Sequence, residues 1–161
     1  MSSGSSNDPQ VQSSLLLVAP KFAVAVQNAL RDANAAGLDA YVYESLRSHE
    51  LAVLYYARGR TIIPPHQTVT NATDEKNSWH GFGLAVDCIS KSKQWGDQPE
   101  SWFKALSVHF ARYGCKWGGD WKMKDLPHFQ WGLCKPSPSS VARTLLATSG
   151  MSSVWSAVEA S

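Results

Sequence analysis

The chain has 161 residues, of which 43% are hydrophobic and 17% charged, and its formal charge is +2. Such a length and balance suit one domain with a real core and exclude a disordered chain. No Lys/Arg block or basic stripe points to nucleic acid as a partner, and no apolar run reaches the length needed for stable membrane insertion.

Residues 1–13, rich in Ser, Asn, Gln and Pro, are expected to form a flexible tail, with the domain proper over 14–161. From Leu15 to about Ala36 apolar residues recur at helical spacing, as in Phe22, Val26, Ala29 and Leu30, and Gly37 suits the C-cap. The segment LDAYVYE (38–44) alternates like a strand. SHELAVLYYARG (48–59) reads as a helix with Ser48 as N-cap and Gly59 past its end. Residues 61–78 make a long polar connection with two prolines, and loops of that length inside a compact domain are usually functional or disordered. A strand over 83–89 follows, then a helix over about 99–113 ended by Gly114. Two more strands are expected at 115–119 and 128–131, around the turn-rich DWKMKDLP. A helix beginning near Val141 and a short one over 152–160 close the chain and are expected to pack on the same domain. The fold class is α+β: a single domain with a small, mostly antiparallel sheet and flanking helices.

Asp87 stands out in the otherwise apolar run LAVDCI, because a lone carboxylate in a buried strand costs several kcal/mol unless something neutralises it. Alternation puts Leu84, Val86 and Cys88 on one face and Gly83, Ala85, Asp87 and Ile89 on the other. In HFQW the same rule groups His128 with Gln130 and Phe129 with Trp131. His80, Asp87 and His128 together supply two imidazoles and a carboxylate, a ligand set of catalytic zinc that leaves a fourth position open. Taken singly, each residue favours a structural reading: an N-capping His80, an ion-paired Asp87, a core-edge His128. The HExxH helix motif is absent. Cys88, Cys115 and Cys134 lack C-x-x-C spacing and are expected to be free, buried thiols.

SWHGFGLAVD resembles the S-x-H-x-x-G-x-A-x-D motif of the M15 zinc peptidases, the family of VanY-like D-Ala-D-Ala carboxypeptidases. DLPHFQW is similar to that family's second motif, with an acidic residue three positions before the last histidine. YVYESLRS and ARGRT resemble the segment around the family's active-site arginine. The ordered set VTNA, SWHGFGLAVD, KWGGDW and DLPHFQW is most similar to phage endolysins that cleave the L-alanyl–D-glutamate bond of peptidoglycan stems, over about residues 20–132.

The resemblance implies a Hedgehog/DD-peptidase-like fold and one zinc ion per chain, held by His80, Asp87 and His128. It implies Asp125 as general base, taking a proton from the attacking water and passing it to the leaving amine, and Arg47 as oxyanion stabiliser. Ser78, Asn71 and Gln130 are the candidate substrate contacts, with N-capping an equal alternative for Ser78. Asp120 in GGDW is the rival base, expected instead to orient a ligand histidine. Loop 61–78 and Trp95 or Trp121 are expected to line a groove for an extended peptide. The implied activity is zinc-dependent peptidoglycan endopeptidase. The alternatives are a D-alanyl-D-alanine carboxypeptidase or dipeptidase, or a catalytically silent zinc-containing wall-binding module. The implied partner is the peptidoglycan stem peptide, met by a monomer. Without a secretory signal pattern at the N-terminus, the protein is expected to be made in the host cytoplasm and to reach the wall after membrane permeabilisation.

Overall fold

A computed structural model describes residues 8–159. The first helix, α1 (Pro20–Ala35), opens with proline at its first position and turns Phe22, Ala25, Val26, Ala29 and Ala33 to the core. It starts later than the periodicity suggests. Leu15–Leu17 forms its own 3₁₀ turn capped by Ser14, and Pro20 holds Ala19 in an extended conformation. Gly37, with φ of +87°, carries the chain out of α1.

Four strands, β1 (Ala40–Glu44), β2 (Ala85–Ser90), β3 (Cys115–Trp117) and β4 (His128–Trp131), form one sheet in the order β1-β2-β4-β3. Every pairing is antiparallel. Between β1 and β2 lies α2 (His49–Ala57), whose N-cap Ser48 accepts the Leu51 amide as expected. The third helix, α3 (Glu100–Arg112), packs behind the sheet, and its Phe110 stacks on Phe129 with ring centroids 4.1 Å apart. Phe22, Phe82, Leu84, Val86, Cys88, Leu106, Phe110 and Phe129 make one continuous core. Full burial of such side chains contributes about 1.5–3 kcal/mol each.

The opposite side of the sheet centre is polar. A register shift near the end of β1 sets Glu44 opposite Asp87, and Asp87 lies opposite His128, so three ionisable residues stand in a row across three strands. The core thus fixes the backbone on one side while the other displays chemistry.

The last two helices, α4 (Ser140–Ser149) and α5 (Met151–Glu159), pack against the rest of the chain. Val154 is buried, and Trp155 Nε1 donates to the Phe82 carbonyl at 2.6 Å. Part of the expected tail also docks. Asp8 pairs with Arg58 at 2.8 Å, and the Gln12 carbonyl accepts from the Ser45 amide at 2.7 Å; the rest of the expected tail, residues 1–7, lies outside the described residues. No helix among the described residues is long and apolar enough to cross a membrane.

Gly83 joins the turn carrying His80 to β2. Its φ is +67°, and a Cβ there would stand 2.9 Å from the Leu17 carbonyl oxygen. Gly83→Ala is expected to cost about 1–3 kcal/mol, lowering Tm by roughly 5 °C. A thermal melt that does not move would show that the turn relaxes freely.

Candidate active site

His80 sits in the 3₁₀ turn Trp79–Phe82, whose N-cap Ser78 accepts the His80 amide at 3.3 Å. Asp87 and His128 face each other across the β2–β4 ladder, so the three side chains meet from a turn and two neighbouring strands. His80 Nε2 lies 3.1 Å from Asp87 Oδ1 and 3.2 Å from His128 Nδ1. His128 Nδ1 is 3.9 Å from Asp87 Oδ1.

The outer ring nitrogens are tied off. His80 Nδ1 faces the Ser45 carbonyl at 3.3 Å, and His128 Nε2 faces Gln130 Oε1 at 2.8 Å. Gln130 is held in turn, since its Nε2 donates to the Lys135 carbonyl at 2.9 Å. Both outer partners are acceptors, so they select the tautomers that leave lone pairs on His80 Nε2 and His128 Nδ1 pointing inward. One donor atom from each of His80, Asp87 and His128 lies within 4.8 Å of the others. Two neutral nitrogens and one anionic oxygen converging this way fit a zinc ion with a further position open to the cleft.

The electrostatics agree. Burial pulls His80 down, but the adjacent Asp87 carboxylate outweighs it and the net shift is upward. Burial raises Asp87, yet His80 and Arg47 hold its carboxyl well below the usual range. Burial, and then the His80 charge, push His128 down to about 4, which keeps it a neutral donor near pH 7. A divalent cation takes over the charge that the His80 proton supplies, so metal uptake releases a proton and weakens as pH falls.

Arg47, expected at the site, is only 9% exposed. Its backbone amide donates to the His80 carbonyl at 3.0 Å, fixing it beside the converging donors. Its Nε and Nη2 both donate to Glu44 Oε1, with the Nε bond at 3.0 Å, and Nη2 is 3.5 Å from Asp87 Oδ2. Burial opposes the charge, but Glu44 and then Asp87 raise the guanidinium further, so it stays a cation. The guanidinium also lies 4.7 Å from the centre of the Tyr55 ring. Burial and the Glu44 charge raise the Tyr55 hydroxyl, which remains a neutral phenol at the cleft wall.

Asp125 is set by the turn into β4. Its amide donates to the Gly118 carbonyl at 2.9 Å, and its carbonyl accepts from the His128 amide at 3.2 Å. Oδ2 then stands 3.7 Å from His128 Nδ1, with 49% of the side chain exposed. Desolvation in the cleft, followed by the like charge of Asp87, pushes this carboxyl up to about 6. The result is a proton acceptor beside the converging donors and open to a ligand.

Arg47, Tyr55, His80, Asp87, Asp125 and His128 line one cleft of about 910 Å³. Its walls include loop residues 68–73, Trp95 and Trp121, as expected for the groove, and residues 136–138 with Arg143 from the C-terminal segment. Asn71 and Ser78 are in the wall, but both have structural bonds: Asn71 Oδ1 accepts from Arg60 Nη2 at 3.3 Å, and Ser78 caps the His80 turn.

Two expectations are corrected. Gln130 is not a substrate contact: at 1% exposure it is sealed behind His128, which it orients. Asp120 does not orient a histidine. It is exposed in the turn Gly118–Asp120, while His80 and His128 bond to Ser45 and Gln130 instead. Glu44, the buried partner of Arg47, was missed. The available signal was an acid at the end of an alternating apolar strand, three residues before the arginine.

Among known proteins, the family profile Peptidase M15_4, described as D-alanyl-D-alanine carboxypeptidase, matches residues 71–131. The chain is similar in structure to the Serratia marcescens L-Ala D-Glu endopeptidase ChiX, at 27% identity and a TM-score of 0.51, covering 73% of this chain and 82% of that one. It also shares the fold of a variant of the vancomycin resistance D,D-pentapeptidase VanY in complex with Zn(II), at 16% identity and a TM-score of 0.50, covering 91% of this chain and 92% of that one. The matched segment holds all three converging donors and Asp125, and there the chain is similar to the M15 peptidases, on a fold that it shares with both neighbours.

Proposed function

We propose that this protein is a peptidoglycan endopeptidase that hydrolyses the L-alanyl–D-glutamate bond of the stem peptide. The observation that carries the peptidase chemistry is the meeting, in one open cleft, of the His80–Asp87–His128 donors with a partly exposed Asp125 and a charged Arg47. The choice of bond is supported by the likeness to an L-Ala D-Glu endopeptidase at 27% identity. In the same reading the protein is a monomeric phage endolysin, made in the host cytoplasm and reaching the wall after the membrane is permeabilised.

Zinc, when bound by His80, Asp87 and His128, supplies Lewis-acid polarisation and a more acidic water. Asp125 removes the proton from the attacking water and delivers it to the leaving amine. Arg47 presents Nη1 to the developing oxyanion, since its Nε and Nη2 are committed to Glu44. Gln130 keeps His128 in the ligating tautomer. Gln130→Leu, which removes that acceptor but keeps bulk, is expected to weaken zinc binding by about 10–100-fold. Competition with a chromophoric chelator measures this, and an unchanged affinity would refute the role.

A second reading, D-alanyl-D-alanine carboxypeptidase or dipeptidase, is favoured by the description of the matching family profile. Mass spectrometry of digested muropeptides separates the two. Fragments beginning at D-glutamate support the endopeptidase, and loss of terminal D-alanine alone overturns it. Absent or chelator-insensitive cleavage would favour a silent wall-binding module.

A further inference from the structure

Three side chains with permanent positive charge line the cleft: Arg47, Lys124 and Arg143. The first two already face carboxylates, Arg47 on Glu44 and Asp87, and Lys124 on Glu100 at 3.1 Å. Arg143 pairs with no carboxylate among the described residues. Its guanidinium donates from Nη1 to the Pro138 carbonyl at 2.9 Å, which steadies it against the wall formed by residues 136–138. Among the described residues the Nε and Nη2 edge has no hydrogen-bond partner, and that edge matches a carboxylate in two parallel hydrogen bonds.

Local stability does not explain a cation at this position. Arg143 lies in the first turn of α4, where the helix dipole disfavours positive charge. The cleft offers a use for it: an anionic group of a substrate that enters past the partly exposed Asp125 meets there a cation that no carboxylate of the described residues pairs.

We infer that Arg143 is the substrate anchor of the cleft, binding the free carboxylate that the peptide carries next to the scissile bond. The inference rests on the peptidase reading above and adds the feature of the substrate that is recognised. Two carboxylates have this chemistry. In a stem cut before D-glutamate, the γ-linkage leaves the α-carboxylate of that residue free. In a stem cut before the last D-alanine, the carboxylate is the chain terminus.

The test is calorimetric titration of zinc-loaded Asp125→Asn protein, with and without Arg143→Gln, so that binding is read without turnover. Three lysine-containing stem pentapeptides are compared: unmodified, amidated at the D-glutamate α-carboxylate, and amidated at the C-terminus. Loss of a charge-assisted hydrogen-bonded pair predicts that α-amidation weakens binding about tenfold with Arg143 present and less than about twofold with Arg143→Gln. Arg143→Lys should restore part of the affinity. If C-terminal amidation carries the Arg143-dependent loss instead, the anchor stands and the L-alanyl–D-glutamate reading fails. If Arg143→Gln weakens all three peptides equally, weakens none, or if no stem peptide binds, the anchor is overturned.

Discussion

Replacing Asp125 with asparagine lowers kcat by about 10²–10⁴-fold, the range set by loss of a positioned general acid–base, while zinc remains at one per chain. Asparagine keeps the size of the side chain, and the Asp125 backbone still bonds to Gly118 and His128, so the ligand turn is preserved. Asp125 is not among the three converging donors, which is why metal content and activity should separate. The pH profile gives a second check. A base works deprotonated, and desolvation with the Asp87 charge raises this carboxyl, so kcat/KM is present above its pKa and lost as pH falls through it. A bound dication draws the value back down, which places the acid limb below about 6. Zinc occupancy measured across the same range separates this limb from metal release as His80 gains its proton. Near-normal turnover of a zinc-loaded Asp125→Asn protein would assign the base elsewhere.

The converging His80, Asp87 and His128 were legible in the sequence because two independent signals coincide. Strand alternation put Asp87 on a mostly small face with Gly83 and Ala85 and grouped His128 with Gln130, and motif spacing linked both to His80. Element order was legible too, since Ser48, Gly37 and Gly114 punctuate the helices. What surrounds the donors was not. Alternation places Gln130 on the His128 side, which suggested a substrate contact. Its burial depends on the chain returning so that the Lys135 carbonyl meets its amide, a tertiary fact with no local pattern. Asp120 shows the reverse error: nearness in sequence to a glycine turn says nothing about direction, and its side chain ends in solvent. Glu44 lies where β1 shifts register against β2, and its buried pairing with the Arg47 side chain three residues on follows from how the chain leaves the strand, which alternation does not report. The docking of Asp8 on Arg58 across 50 positions was likewise invisible to composition.

Asp87→Ala should abolish stoichiometric zinc binding and activity together. Apparent zinc affinities of about 10–16 kcal/mol shared over three or four ligands imply a loss on the order of 10²–10⁴-fold for one ligand. The loss here should reach the upper end, because the substitution also removes the one anion among the donors. Two cationic neighbours are affected differently. Arg47 keeps Glu44, whereas His80 loses the carboxylate that raises it and reverts to the neutral form that burial favours. The metal-free variant should therefore fold, destabilised by about 3–5 kcal/mol as expected when one member of a buried pair is deleted. Thermal melts separate the two effects. Zinc binding only the native state raises the Tm of the parent protein in proportion to the logarithm of its concentration. The variant should melt lower at the outset and show no such rise. Stoichiometric zinc retained by Asp87→Ala, with a normal zinc-dependent shift in Tm, would show that the metal is held by a different set of side chains.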